Sequence, residues 1–185
     1  MKLSRQDYDA IAARAELLVS ATDMELALDR MASDIESALG NRDPVVLCVM
    51  TGAVVAVGRL LPRLGFPLRL DYVHATRYGT ATSGGDLQWR YRPSEAVRGE
   101  HVLVVDDIFD AGVTLDCIVR ACREDGATDV QTAVLVEKVR PRPVAMTPDF
   151  VGGRVPNRYL IGYGLDYRHY FRNVSGVYAV ADEDI

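Results

Sequence analysis

The amino-acid sequence predicts an α/β fold with a central, mainly parallel, twisted sheet flanked by helices. Residues 45–49 and 102–105 are wholly apolar, which is the pattern of strands buried on both faces. Each run leads into a glycine-containing turn and then into apolar residues at helical spacing. Residues 130–136 are interpreted as a third buried strand. Strands that alternate with helices in this way are typical of a parallel sheet covered on its faces.

The composition fits one domain in the cytoplasm. A chain of 185 residues with 49% hydrophobic residues can bury a sizeable core without a second domain. Its net charge of −5 argues against a general nucleic-acid-binding protein, which needs a basic surface. Neither a signal peptide nor a membrane span of ~18 apolar residues is expected. Cys48, Cys117 and Cys122 lie in apolar patterns and are interpreted as reduced core thiols of a soluble protein without membrane partners.

The first forty residues contain one clear amphipathic helix. Residues 4–20 hold a short helical pattern and an apolar patch that stay unassigned. Thr22 and Glu25 form a capping box, which predicts the start of the helix. Gly40 is expected to end it. The apolar stripe on the helix is interpreted as core, and it consists of Met24, Leu28, Met31, Ile35 and Leu39.

Two segments after the strand at 45–49 are candidates for ligand binding. The turn Met50-Thr51-Gly52-Ala53 opens a helix, so its backbone N–H groups could bind an anion. Residues 68–73 alternate like a strand, and a long polar loop at 75–86 returns through a strand at 87–91. Long loops in compact domains are usually functional lids or disordered segments.

The most informative stretch is residues 101–115. Asp106 and Asp107 are expected to follow the buried strand directly, and residues 110–114 form a small, glycine-containing turn into a helix. Such a turn favours a phosphate, because N–H donors and the helix dipole point at one place. Acids beside a phosphate imply a mediating Mg²⁺, which takes one or two carboxylates plus substrate oxygens. The alternative is that the acids only solvate the loop and cap the helix.

The order of residues in this stretch resembles the phosphoribosyl-pyrophosphate-binding motif of the type I phosphoribosyltransferases. The shared pattern is an apolar strand, two acids, two apolar residues, Asp, a small residue, Gly, any residue and Thr. From about residue 45 to the C-terminus the chain resembles the 6-oxopurine, or hypoxanthine-guanine, branch. The resemblance implies one domain over residues 1–185. Its core would span about 40–145, its hood about 1–20 and 146–185, and its mobile lid about 75–90.

The resemblance implies purine salvage. The enzyme would use Mg²⁺ to transfer the 5-phosphoribosyl group from phosphoribosyl pyrophosphate to hypoxanthine or guanine, giving IMP or GMP and pyrophosphate. The family typically forms homodimers or homotetramers. Asp110 would be the catalytic residue, near N7 of the purine, as a general base or proton relay whose proton affinity a neighbouring phosphate raises. The expected phosphate- and ribose-binding residues are Asp106, Asp107, Ala111, Gly112, Val113 and Thr114.

The remaining implied roles are distributed along the chain. Pyrophosphate would be bound by Thr51, Gly52, Arg77, Tyr78 and Arg172, with a non-proline cis peptide at Met50–Thr51. The purine would be bound by Lys138, Tyr159 and Leu160. Lys138, expected just past the end of its strand, would donate to the 6-oxo group, Tyr159 would stack on the ring, and Leu160 would supply backbone groups. Asp166 would bind a second magnesium, beside the one held at Asp106 and Asp107.

Three residues depart from the family pattern. Thr51 stands where a basic residue is frequent, Arg77 where Ser is usual, and Ala111 where Thr is frequent. Ala111 removes a hydroxyl donor, so weaker phosphate binding is expected.

Without the family resemblance, several of these residues have simpler interpretations. Lys138, Arg77 and Arg172 could be ordinary surface charges, and Tyr159 could be core packing.

Three rival functions remain to be weighed. One is a non-catalytic regulator that senses phosphoribosyl pyrophosphate, and the presence of Asp110, Lys138 and Asp166 argues against it. Another is a phosphoribosyltransferase for a different base, such as xanthine, adenine or a pyrimidine. A dinucleotide-dependent oxidoreductase is excluded, because neither strand turn contains Gly-x-Gly-x-x-Gly.

Overall fold

The computed structural model describes residues 2–77 and 87–185. In this part of the chain the strands are β1 (Glu16–Val19), β2 (Val45–Val49), β3 (Arg69–Arg77), β4 (Leu87–Tyr91), β5 (His101–Phe109), β6 (Asp129–Val139), β7 (Phe150–Pro156), β8 (Leu160–Ile161) and β9 (Val177–Ala179). The α-helices are α1 (Arg5–Arg14), α2 (Ala21–Leu39), α3 (Val54–Leu60), α4 (Ser94–Val97) and α5 (Val113–Glu124). Short 3₁₀ helices cover Leu61–Arg63 and Asp182–Asp184.

Six strands form the large sheet in the order β4-β3-β2-β5-β6-β7. Every pair is parallel except β3 with the edge strand β4. The wholly apolar strand β2 is buried along its length between β3 and β5, as expected of a parallel strand covered on both faces. The predicted α/β class with a mainly parallel sheet is confirmed.

The crossovers place a crevice between β2 and β5. The chain leaves β2 through α3 towards β3, and it leaves β5 through α5 towards β6, on the opposite side. Because such crossovers are right-handed, α3 and α5 lie on opposite faces of the sheet. The connections that follow β2 and β5 therefore diverge, and the carboxyl ends of these two strands form a topological switch point, where open α/β sheets bind ligands.

Three strands are longer than the sequence predicts. β5 does not stop before its acids but continues through Asp106 and Asp107 to Phe109. β6 continues through Glu137 and Lys138, so the placement of Lys138 past the strand end is wrong. The reason is that parallel pairing between β5 and β6 extends from His101↔Asp129 to Phe109↔Glu137, and pairing between β6 and β7 continues through Lys138↔Val155. Polar residues therefore lie inside the ladder. β3 likewise enters the segment predicted as a loop.

The N-cap of helix α2 lies two residues before the one that the sequence predicts. The Ser20 hydroxyl accepts a hydrogen bond from the Asp23 N–H at 3.1 Å, so Ser20 and not Thr22 is the N-cap. Glu25 instead accepts the Tyr163 hydroxyl at 2.6 Å, which ties α2 to a distant turn. Gly40 is the C-cap, as predicted.

A second, three-stranded antiparallel sheet combines both ends of the chain. Its order is β1-β9-β8, and α1 packs beside it. The Tyr8 and Phe171 rings stack at 4.1 Å and, with Ile11, form a separate small core. This unit, called the hood below, lacks β7, which belongs to the large sheet. The large sheet thus extends past the core limit of about residue 145 that the sequence suggested.

The cysteines differ in their surroundings. Cys48 and Cys122 are buried, and burial raises the pKa of each thiol to about 11. Cys117 is only half-buried, so its assignment to the core is wrong. Among the described residues, no helix is both long enough and apolar enough to cross a bilayer.

Gly152 lets α2 pack closely on the sheet, and its substitution should destabilise the fold. A Cβ at this position would overlap the Leu135 carbonyl oxygen and lie 2.9 Å from Met31 Sδ. We expect Gly152→Ala to lower the free energy of unfolding by about 1–3 kcal/mol in urea titrations, because the core becomes overpacked. The neighbouring Gly153→Ala has open space around its Cβ and should change stability by less than about 0.5 kcal/mol. Equal effects of the two substitutions would contradict this packing.

Candidate active site

A cavity of about 300 Å³ opens at the carboxyl ends of β2 and β5. One wall is the turn after β2, another is the end of β5 with the loop into α5, and the hood supplies the third. The lining residues are Val49, Met50, Thr51, Gly52, Ala75, Asp106, Asp107, Ile108, Phe109, Asp110, Ala111, Gly112, Thr114, Leu115, Asp166 and Arg172. Most of the residues predicted to bind the sugar and its phosphates meet here.

Two buried carboxylates lie in the wall of the cavity that the end of β5 forms. Asp106 and Asp107 are each 9% exposed, and the Asp107 N–H donates to Asp106 Oδ1 at 2.9 Å. Burial raises the pKa of Asp106 well above its usual range, and the charge of Asp107 acts in the same direction. Burial also raises the pKa of Asp107, against which the charge of Arg172 acts. Two acids held in this way can accept hydrogen bonds from sugar hydroxyls or bind a cation.

The turn after β2 contacts both the acids and the hood. The Met50–Thr51 peptide is cis, as the family resemblance implies. A Cβ on Gly52 would overlap the Asp107 carboxylate, so a glycine is required for this approach. On its other side, the Gly52 carbonyl meets Gly164 of the hood, whose φ of 103° also favours glycine. Sheet, turn and hood therefore touch at one point beside Asp107.

The loop after β5 has the geometry of an anion cradle. Gly112 has a φ of 78° and is the N-cap of α5, but it has no side chain that could cap the helix. The first N–H groups of a helix have no acceptor within the helix, and they favour anions. Because α5 begins at Val113, Val113 and Thr114 belong to its first turn and not to the preceding loop. Val113 does not line the cavity.

Asp110 is paired with two cations. Its Oδ2 accepts from Lys138 Nζ at 3.1 Å, and its Oδ1 accepts from Arg140 Nη1 at 2.8 Å. Burial acts to raise the pKa of Asp110, but the hydrogen bonds and charges of Lys138 and Arg140 prevail and the pKa is lowered. The expectation of a raised proton affinity assumed a neighbouring phosphate, and in the structure described here the direction is the opposite.

Arg142 holds the backbone at the start of the loop, a role that the sequence analysis missed. Its guanidinium donates to the Asp110 carbonyl at 2.8 Å and to the Phe109 carbonyl at 3.3 Å, and it lies over the Phe109 ring. The buried Glu137 pairs with Arg142 at 3.0 Å. A sequence signal existed, because Lys138, Arg140 and Arg142 follow one another at intervals of two residues, and side chains at this spacing lie on one side of an extended chain.

The hood presents a cation and an acid to the cavity. Arg172 Nη2 lies 2.5 Å from Asp166 Oδ1, and its Nη1 donates to the Gly164 carbonyl. The other Asp166 oxygen accepts from the His169 N–H at 2.8 Å. Arg172 is therefore oriented by its neighbours towards the Asp107 side of the cavity.

The residues predicted to bind the purine lie outside the cavity lining. Lys138 reaches the site through Asp110. Tyr159 is 39% exposed and packs edge-to-face on Tyr167 with ring centroids 5.5 Å apart, while Leu160 is buried in the core. Arg77 is the last residue of β3, and Tyr78 lies outside the described residues.

The acids suit a cation that is shared with a substrate. Within residues 2–77 and 87–185 there is no cluster of three or more His, Cys, Asp or Glu side chains that could hold a metal alone. Mg²⁺ commonly keeps several waters and takes only one or two carboxylates with substrate oxygens. Asp106 and Asp107 on one wall and Asp166 on another fit that arrangement.

Comparison with known families shows to which family the chain belongs. The family model of the phosphoribosyl transferase domain matches residues 16–168. The chain belongs to the phosphoribosyltransferase family. Within this family, it is 30% identical to human hypoxanthine-guanine phosphoribosyltransferase over 164 residues, which cover 83% of the chain and 75% of the human protein. The hypoxanthine-guanine branch of the resemblance is thereby confirmed.

Other members of the family are similar to the chain in sequence or in fold. The bifunctional protein TilS/HprT of Listeria innocua is 31% identical over 160 residues, which cover 86% of this chain. The matched residues span only a quarter (25%) of the length of that protein. The structure of Trypanosoma cruzi hypoxanthine phosphoribosyltransferase, in complex with the product IMP, has a TM-score of 0.85 at 25% identity and covers 92% and 96% of the two chains. The Staphylococcus aureus enzyme has a TM-score of 0.88 at 20% identity, covering 94% and 96%, and shows the fold alone.

Asp106→Asn should stabilise this phosphoribosyltransferase near neutral pH, because it removes a buried charge. Since the pKa is raised in the folded state only, the folded protein binds the extra proton, and stability falls as the pH rises from about 4 through the folded pKa. In the variant this fall should be smaller, and the free energy of unfolding at pH 7 should be higher than that of the wild type. Urea titrations from pH 4 to 8 without divalent cations measure both.

The matched control for this prediction is Asp129→Asn. Asp129 is exposed at the amino end of β6, far from the cavity. Its substitution should leave the pH dependence as in the wild type. An Asp106→Asn variant with the wild-type pH dependence would show that burial of Asp106 does not govern it.

Proposed function

We propose that the protein transfers the 5-phosphoribosyl group of phosphoribosyl pyrophosphate to N9 of hypoxanthine or guanine. The products would be IMP or GMP and pyrophosphate, as in purine salvage. The observation that carries the proposal is the convergence of an anion cradle, a buried acid pair and Asp110 at one switch-point cavity. The named relatives, including one solved with IMP, support this choice of reaction.

Each wall of the cavity would bind one part of the sugar phosphate. The start of α5 and the loop 110–112 would hold the 5′-phosphate through backbone N–H groups. Asp106 and Asp107 would accept hydrogen bonds from the ribose hydroxyls. Thr51, Gly52 and Arg172 would face the pyrophosphate. With the sugar fixed at both ends, positioning and electrostatics would dominate the rate.

Magnesium would bind between the carboxylates and the substrate. Asp106 or Asp107 would hold one ion and Asp166 a second, together with substrate oxygens. Bound magnesium would neutralise charge on the leaving pyrophosphate. Arg172, already oriented by Asp166 and Gly164, would add a fixed cation on the same side.

Asp110 and Lys138 would act on the purine. As the bond from N9 to C1 of the ribose forms and the bond from C1 to pyrophosphate breaks, the purine loses one proton, which Asp110 would accept or relay. Lys138 would donate to the 6-oxo group, and this favours hypoxanthine or guanine over adenine, whose amino group is itself a donor. Tyr159 and Leu160 would complete the base site from the hood.

The remaining parts of the proposal concern the cell and the assembly. We infer a cytoplasmic enzyme that forms a homodimer or homotetramer, as members of the resembled family do. Tyr78 and Arg77 would close over the pyrophosphate as part of a lid.

A base-panel assay tests the proposed activity directly. Purified protein with phosphoribosyl pyrophosphate and Mg²⁺ should form a nucleotide from hypoxanthine or guanine, and product should be lost when EDTA removes the metal. Xanthine, adenine and pyrimidines in parallel reactions identify a different base specificity. Saturable binding of phosphoribosyl pyrophosphate without turnover of any base would instead identify a regulator.

Asp110→Asn tests the role of the proposed base. The amide cannot take up the purine proton, so kcat should fall by about 10²–10⁴-fold. The KM for phosphoribosyl pyrophosphate should change by less than about three-fold, because the phosphate cradle is made of backbone N–H groups. Asp129→Asn is the control and should keep both constants. Equal losses in kcat and in substrate affinity would show that Asp110 only positions the phosphate.

A further inference from the structure

Arg140 is a cation at the site for which neither the sequence analysis nor the proposed mechanism provides a role. It lies beyond the end of β6 and does not line the cavity. Its guanidinium donates to Asp110 Oδ1 at 2.8 Å, and a longer contact of 3.4 Å reaches the Pro141 carbonyl. Its side chain is 34% exposed, and that of Asp110 is 39% exposed. A pair as exposed as this contributes little to stability, typically about 0–1 kcal/mol.

The local sequence restricts the backbone around Arg140 before any ligand binds. Arg140 precedes Pro141, and a residue before proline is confined to extended conformations. Arg142 precedes Pro143 and is confined in the same way. Arg142 also fixes the segment to the loop, because it donates to the Asp110 carbonyl at 2.8 Å. The backbone on either side of Arg140 is thus held against the residue that its side chain contacts.

Two donors restrict the Asp110 carboxylate more than one donor does. The last torsion of an aspartate side chain is broad, so a single hydrogen bond from Lys138 leaves the plane of the carboxylate free to rotate. Lys138 binds Oδ2 and Arg140 binds Oδ1, and together they define the direction in which the carboxylate faces. Proton transfer depends strongly on this direction, since a misplacement of about 1 Å can cost 10²-fold in rate.

We propose that Arg140 is a positioning residue for phosphoribosyl transfer, and that it acts through Asp110. It holds the second oxygen of the carboxylate while Lys138 holds the first, so that the carboxylate is directed at the purine before the purine binds. This role rests on the proposed function of Asp110. It assigns to Arg140 an effect on turnover and not on substrate affinity, because Arg140 contacts the Asp110 carboxylate and not the backbone N–H groups that would bind the phosphate.

Steady-state kinetics of three variants test the proposal. Arg140→Met removes the charge and should lower kcat about ten-fold, while the KM values for the base and for phosphoribosyl pyrophosphate change less than about two-fold. Arg140→Lys retains a donor for the single contact and should recover kcat to within about three-fold of the wild type. Arg98→Met is the control for charge, because Arg98 is exposed near the amino end of β5 and its ion pair within the described part of the chain is a 3.7 Å contact with Glu95.

A double-mutant cycle identifies the path of the effect. In the Asp110→Asn background, Arg140→Met should change kcat by less than about two-fold, since the group through which it acts is gone. Thermal unfolding of each variant verifies that the folded fraction is unchanged. A ten-fold loss that persists in the Asp110→Asn background would overturn the proposal, and so would a loss confined to KM.

Failure of this proposal can be distinguished from failure of the proposed function. If the wild type turns over a 6-oxopurine and Arg140→Met behaves like Arg98→Met, only the role of Arg140 is overturned. If the wild type turns over no base, the proposed function falls and the role of Arg140 falls with it.

Discussion

The cost of burying two carboxylates in the central strand governs the construction of the site. Asp106 and Asp107 lie inside β5, paired on one side with β6, and burial raises the pKa of each. On the other side of β5, strand β2 adds no further charge, because burial and the two acids raise the pKa of Cys48 to about 11 and keep its thiol neutral. Relief comes from Arg172, whose charge acts against the raised pKa of Asp107. The parallel ladder holds the acids where a sugar and a cation can be bound, at the expense of stability.

Glycines connect these acids to the rest of the molecule. Gly52 approaches the Asp107 carboxylate, and Gly164 approaches the Gly52 carbonyl, at distances that exclude any side chain. The Gly164 carbonyl in turn accepts a hydrogen bond from Arg172. The large sheet and the hood are therefore joined at the point where pyrophosphate is proposed to bind. A shift of the hood would move Arg172 and Asp166 together.

The local patterns in the sequence predicted the elements better than they predicted their ends. The strand at Val45–Val49 and the end of α2 at Gly40 follow from local apolar pattern and from glycine. The ends of β5 and β6 do not, because pairing with neighbouring strands extends the ladder past Asp106 and Asp107 on β5 and through Lys138 on β6. The cation cluster at Asp110 depends on a contact across about thirty residues, which no local pattern records. The residues proposed to bind the sugar phosphate were predicted from an ordered motif, whereas Arg140 and Arg142 belong to none.

The pairing of β1 with β9 has a consequence for biosynthesis. Residues 16–19 pair with residues 177–179, so β1 cannot pair until the chain has been synthesised past residue 179. All six strands of the large sheet have been translated once Pro156 is added, before Asp166 and Arg172 exist. The part of the cavity wall that Asp166 and Arg172 form is therefore synthesised after the acid pair and after the loop that follows it. The order of translation makes the hood the closing step in building the site.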